Sequence, residues 1–208
     1  MTEIKKDYPV SLSIDYSDKS DRLTTFFRIF MIIPIFIILC FLCGQIGYAS
    51  EPTDNLIIFG TGLTFVPTLL MILFRKKYPK WWFDWNLSLT KFSTRIFSYL
   101  ILLTDQYPST DEDQSVHIEI RYPDTPKELK RGMPLIKWFL AIPHIFILCF
   151  LYIGIIFVTI VAWFSILFTG KYPKSLFEYV VGVMRLSLRV SVYAFLLTTD
   201  KYPSFSIK

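Results

Sequence analysis

Residues 138–170 read WFLAIPHIFILCFLYIGIIFVTIVAWFSILFTG, a run with no Asp, Glu, Lys or Arg. A second window, residues 29–74, holds only Glu51 and Asp54, and all 22 Lys and Arg lie outside the two. Bilayer hydrocarbon is about 30 Å thick, so roughly 20 apolar residues cross it as a helix. The window 29–74 has room for two crossings and a polar turn, Gln45 to Asn55, between them. With 53% hydrophobic and 18% aromatic residues in 208, the chain is far more apolar than a soluble domain of this length requires. Its sequence is that of an integral membrane protein. The first 22 residues are polar and charged, unlike a secretory leader.

The net charge of +5 comes from basic residues that bracket the apolar windows. It therefore fits a surface facing anionic lipid and gives no basic polar domain for nucleic acid.

The chain also repeats itself. Val10-Ser-Leu-Ser-Ile-Asp-Tyr16 returns as Val116-His-Ile-Glu-Ile-Arg-Tyr122. Ile33-Pro34 returns as Ile142-Pro143, Lys77-Tyr78-Pro79-Lys80 as Lys171-Tyr172-Pro173-Lys174, and Thr104-Asp105 as Thr199-Asp200. A repeat of about a hundred residues implies a duplicated module, not a solenoid. The expected architecture is a mainly α membrane protein of two tandem pseudo-symmetric modules, residues 1–109 and 110–208. Each would carry a strand (10–16 and 116–122), a transmembrane hairpin and an interfacial amphipathic helix (about 81–103 and 175–198). The alternation of Val10, Leu12 and Ile14, and of Val116, Ile118 and Ile120, with polar residues argues half-buried strands. These would pair with each other or with a partner's strand.

The spans of the first hairpin are placed at about 24–43 and 56–74, with Pro34 and Pro67 inside them. In the second module the expected hairpin, about 134–169, turns near Tyr152–Ile155 at Gly154. A single crossing there would put Lys171, Lys174, Arg185 and Arg189 on the face opposite the first module's basic residues, against the positive-inside rule. Both modules are thus expected to return to one face, the cytoplasmic one, with both termini on it.

In the amphipathic helices, Asp84, Lys91 and Arg95 are spaced i, i+7, i+11 and share one narrow stripe. Glu178, Arg185 and Arg189 repeat that spacing. A narrow polar stripe among aromatic and aliphatic residues describes a helix lying in the interface. These six residues are candidates for lipid-headgroup or inter-repeat polar contacts. Six Tyr-Pro pairs read as interfacial anchors that also stop helices. Cys40, Cys43 and Cys149 read as buried thiols packed like small hydrophobes, with no disulfide framework. Asp105 and Asp200 read as turn residues, and His144 as a satisfied polar residue near the interface. Neither His144 nor His117 has the neighbours a metal site needs. No catalytic, cofactor or metal signature is present.

Ala141-Ile142-Pro143-His144, Leu167-Phe168-Thr169-Gly170-Lys171-Tyr172-Pro173 and Thr199-Asp200-Lys201-Tyr202-Pro203-Ser204-Phe205 resemble a bacterial membrane family catalogued as domain of unknown function 4389. The first half resembles a diverged copy, with Ile35 in place of His and Arg75-Lys76 in place of Thr-Gly. The resemblance implies the membrane architecture and no activity.

The expected function is that of a non-enzymatic accessory or scaffold subunit of an inner-membrane complex. Its partners would be membrane lipids and another membrane protein or a second copy. The alternatives are a lipid-binding or transport protein using the seam between repeats, and a membrane enzyme. The enzyme would need Asp105, Asp200, His144 or the stripe carboxylates to converge.

Overall fold

The computed structural model describes residues 8–17, 19–42, 66–110, 112–125, 129–130 and 132–207. Along the chain these form β1 (Val10–Ile14), α1 (Arg22–Leu42), α2 (Val66–Arg75, π-helical over Met71–Arg75), α3 (Lys80–Leu100), β2 (Val116–Ile120), α4 (Met133–Thr169) and α5 (Lys174–Ala194). The fold is mostly helical with a small two-stranded sheet. Two helices, α1 and α4, contain stretches long and apolar enough to cross a membrane.

The strands pair with each other, antiparallel, with Leu12 opposite Ile118. Bonds from Asp15 N–H to Ser115 O and from Arg121 N–H to Pro9 O mark the hydrogen-bonded pairs. Hence Val10, Leu12 and Ile14, and likewise Val116, Ile118 and Ile120, turn their own backbone groups to the outer edges. Leu12, Ile14, Val116, Ile118 and Ile120 are buried, while Ser13, His117 and Glu119 are exposed. The sheet therefore has one wet face and one face against helices.

Three layers follow. The sheet rests on α5 through β1 and on α3 through β2; α4 packs along α5, α1 packs against α3, and α1 touches α4. The middle layer is the most enclosed, with Val180, Val183, Leu186 and Val192 of α5 shut off from solvent. The outer layer is the reverse: Phe26, Ile29, Phe30 and Phe36 of α1 and Phe139, Phe146, Phe157 and Phe168 of α4 are exposed. An exposed apolar face of this breadth marks a membrane or partner surface.

Two expectations are corrected. Residues 134–169 do not form a hairpin: α4 is one uninterrupted helix, about 55 Å long at 1.5 Å per residue. Gly154 is no bend. It makes room for Tyr179, since a Cβ at Gly154 would meet that side chain's Oη at 2.4 Å. A helical glycine costs only about 1 kcal/mol, less than breaking the backbone ladder among apolar neighbours. The thiols are not buried either: Cys149 is exposed on the outer face of α4 and Cys40 is half-buried. A small apolar side chain incurs little penalty where the face meets hydrocarbon. Cys43, the Gln45–Asn55 loop and most of the 56–74 span lie outside the described residues.

The segment after α5 folds back over the helix. Arg189 donates to Ser206 O (2.9 Å), and a Cβ at Gly182 would meet Ile207 O at 2.4 Å. That obstacle is backbone, so it yields only if the segment moves. Gly182→Ala should lift residues 203–207 off α5 and raise their amide exchange about tenfold or more, while exchange in the β1–β2 ladder stays unchanged.

Candidate functional site

A buried cation sits near the start of each long apolar helix. Arg28, one turn and a half into α1, is buried, as is Lys137 near the start of α4. Arg28 forms an ion pair with Asp105 and donates to Tyr99 O (2.9 Å) and Thr104 O (3.1 Å). Its guanidinium lies 4.4 Å from the centroid of the Tyr99 ring. Lys137 Nζ is 2.7 Å from Asp200 Oδ1 and donates to Thr199 O at 2.8 Å, with the Tyr193 ring 5.3 Å away. The second carboxylate oxygen also accepts a backbone N–H in each cluster, from Asp21 to Asp105 (3.0 Å) and from Lys130 to Asp200 (2.9 Å).

Local chain reversals deliver these aspartates. Leu102 and Leu197 both adopt positive φ, at 69° and 57°. At the first, Leu103 N–H reaches back to Ser98 O and Leu102 N–H to Tyr99 O, the Schellman pattern that ends a helix, usually with glycine at the left-handed position. Here leucine stands there because its side chain is buried. The reversal carries Thr104-Asp105 back onto α1.

The aspartates were legible as repeated turn residues, but their partners were not singled out. A signal existed: Arg28 and Lys137 immediately precede the two windows that hold no Lys or Arg. They are also related by the offset of the prolines, 137 − 28 = 143 − 34 = 109.

Of the six stripe residues, Arg185 makes a polar contact between the two halves of the chain: its Nε donates to Leu12 O (2.9 Å) and so caps the outer edge of β1. Arg95 is buried and donates to Ser109 O (2.8 Å). Arg189 makes the matching contact, to Ser204 Oγ and Ser206 O. Asp84 and Glu178 are exposed and Lys91 is half-exposed. The three arginines face protein, each donating to a backbone carbonyl outside its own helix, as polar groups in partly buried surroundings require. Of the strand residues proposed for partner pairing, Val10, Leu12 and Ile14 have an edge occupied at Leu12, and Val116, Ile118 and Ile120 do not.

His144 is fully buried, with Nε2 3.0 Å from Pro203 O and its ring stacked on Phe205 at 4.0 Å. A carbonyl only accepts, so Nε2 carries the hydrogen. Asp105, Asp200 and His144 are each tied to a different partner and do not form one constellation. Among the described residues, no group of three or more His, Cys, Asp or Glu gathers as a metal ion would need.

The Tyr-Pro pairs divide in two. Tyr78 and Tyr172 are buried, and burial pushes their hydroxyls above the usual phenol range. Their backbone carbonyls accept bonds from Tyr122 and Tyr16 respectively. They clamp the turns and are not interfacial anchors. Tyr107 and Tyr202 are exposed.

This arrangement defines a helical protein with two apolar helices, each fastened by a buried cation to an aspartate beyond a neighbouring helix. Residues 133–206 match the family model described as domain of unknown function (DUF4389). The match spans α4, α5 and Lys137, Tyr193 and Asp200 of the second cluster. No curated protein and no solved structure matches the chain.

Removing one member of a buried pair strands the other charge, at a cost of about 3–5 kcal/mol. Lys137→Met should therefore lower the thermal midpoint in detergent sharply, and the double change Lys137→Met/Asp200→Leu should recover much of the loss. If Lys137→Met lowers the midpoint no more than a change at exposed Lys171 does, the cluster is not a structural lock.

Proposed function

We propose that this chain is a multi-pass protein of a bacterial inner membrane, with both termini cytoplasmic. In this reading it serves as a non-enzymatic accessory or scaffold subunit of a membrane complex. The observation that carries the reading is the open edge of β2. Val116, Ile118 and Ile120 direct their backbone groups away from β1, and no hydrogen bond among the described residues engages them. An unpaired strand edge is a template for a partner's strand, and here it sits above a broad membrane-facing surface.

Support for two tandem modules comes from the matched clusters, Arg28–Tyr99–Asp105 and Lys137–Tyr193–Asp200. Their members correspond at offsets of 109, 94 and 95 residues. Support for a shared face comes from Tyr8, whose hydroxyl donates to Lys201 O at 3.3 Å. In this proposal α1 and the chain returning through α2 make the crossing hairpin, and α4 lies along the bilayer. Both ends of α4 lead to the sheet side, since α5 packs under β1, and its length of about 55 Å exceeds what one crossing needs.

A second reading has its own observation. An apolar groove of about 440 Å³, lined by Leu69 of α2, Leu135, Trp138 and Ile142 of α4 and Phe195 after α5, brings residues of both halves together. It would suit a lipid acyl chain at the seam between repeats.

A photo-crosslinking residue at Glu119, exposed beside the open edge, should yield adducts heavier than the chain in native membranes. Gentle extraction should give a native mass above that of one chain with lipid. A chain that always runs alone by both measurements overturns the accessory reading. Retained lipid that disappears on Ala194→Trp would favour the groove.

A further inference from the structure

We propose that the turn between α2 and α3 is a headgroup site for an anionic phospholipid, which it recognises through the phosphate. The site rests on the reading that the α1/α4 layer faces a bilayer. A pocket of about 540 Å³ opens here, with Lys76, Lys77 and Lys80 on one wall and Tyr122, Asp124 and Thr125 on the other. Among the described residues the three ammonium groups have no ion pair or side-chain hydrogen bond. Asp124, the one carboxylate lining the pocket, is already engaged. The wall is therefore positive by three charges against one.

Two features of the backbone add to this. α3 starts at Lys80, behind Pro79, with no side-chain cap and no acid in its first turn. Its first N–H groups and the positive end of its dipole are thus open to an anion. Lys76 adopts φ 50° and ψ 39°, a left-handed conformation that any side chain with a Cβ resists. At the corresponding place in the second half, 76 + 94 = 170, stands Gly170 with φ 72°. Lys76 ends α2 as its left-handed cap, its N–H bonded to Ile72 O, which fixes the lysine at the turn.

The second turn is covered. Ser20 N–H donates to Gly170 O (3.0 Å) and Arg22 to Phe168 O (3.3 Å), so the segment before α1 closes over it. The first turn is also flanked by exposed apolar side chains, Phe74, Trp81 and Trp85. Trp prefers the interfacial level of a bilayer, which favours a phosphate carried by a lipid over one free in solution. Clustered basic residues at the cytoplasmic end of an apolar helix attract anionic lipid, each gaining roughly fivefold in affinity.

The test is native mass spectrometry of the full chain in nanodiscs containing phosphatidylglycerol and phosphatidylcholine. The wild type should retain phosphatidylglycerol selectively. Lys77→Gln/Lys80→Gln should lose about tenfold or more of that retention, and Lys171→Gln/Lys174→Gln should change it less than twofold. Lys76→Gly should weaken retention about fivefold while raising the thermal midpoint. Equal loss in both double variants, or none in the first, overturns the site. Displacement of the lipid by millimolar inorganic phosphate overturns the lipid as its ligand. Recovery of the wild type in the aqueous fraction after lysis overturns the membrane reading and this site with it. Membrane-bound protein with unselective lipid overturns the site alone.

Discussion

A buried cation at the mouth of an apolar helix must find an anion, and that requirement organises this molecule. Arg28 and Lys137 enter their helices just ahead of the windows that hold no Lys or Arg. Placing either in an apolar setting without a partner costs several kcal/mol. Their partners, Asp105 and Asp200, lie 77 and 63 residues further along, so each pair closes its half of the chain on itself. The left-handed leucines after α3 and α5, the tyrosine faces and the backbone carbonyls then serve one geometry.

The layering follows from the same constraint. Tying the start of α4 to the segment after α5 makes the two helices run side by side, and tying α1 to the end of α3 does the same. Once α3 and α5 are covered by apolar helices on one side, their other side must be covered too. The two strands do this with five buried side chains, and Arg185 satisfies the carbonyl that β1 would otherwise expose. The three stripe arginines thus each donate to a backbone carbonyl. Lys76, Lys77 and Lys80, which have no ion pair among the described residues, sit at the turn entering α3.

Much of the fold was legible. Strand alternation gave both strands to within two residues, and the amphipathic periodicity located α3 and α5. Charge exclusion marked α1 and α4. The failures have physical causes. A tight hairpin and a continuous helix of 37 residues share the same composition, because Gly154 serves equally as a bend or as a groove for Tyr179. Stripe geometry predicted that Arg95, Arg185 and Arg189 share a face with an acid. It could not say that the acids stay exposed while the arginines reach backbone carbonyls.

The sequence by itself determined the apolar windows, the echoed words in its two halves, the match of residues 133–206 to a family model and the positions of the helices and strands. These rest on local hydropathy, spacing and turn chemistry, which are properties of neighbouring residues. Only the tertiary structure decided which cation meets which aspartate, that the two strands pair with each other, and that one basic turn is closed by Ser20 and Arg22 while the other stays open. Those outcomes depend on distances between residues far apart in the chain. Nothing in local periodicity encodes such distances until burial forces each charge to find a partner.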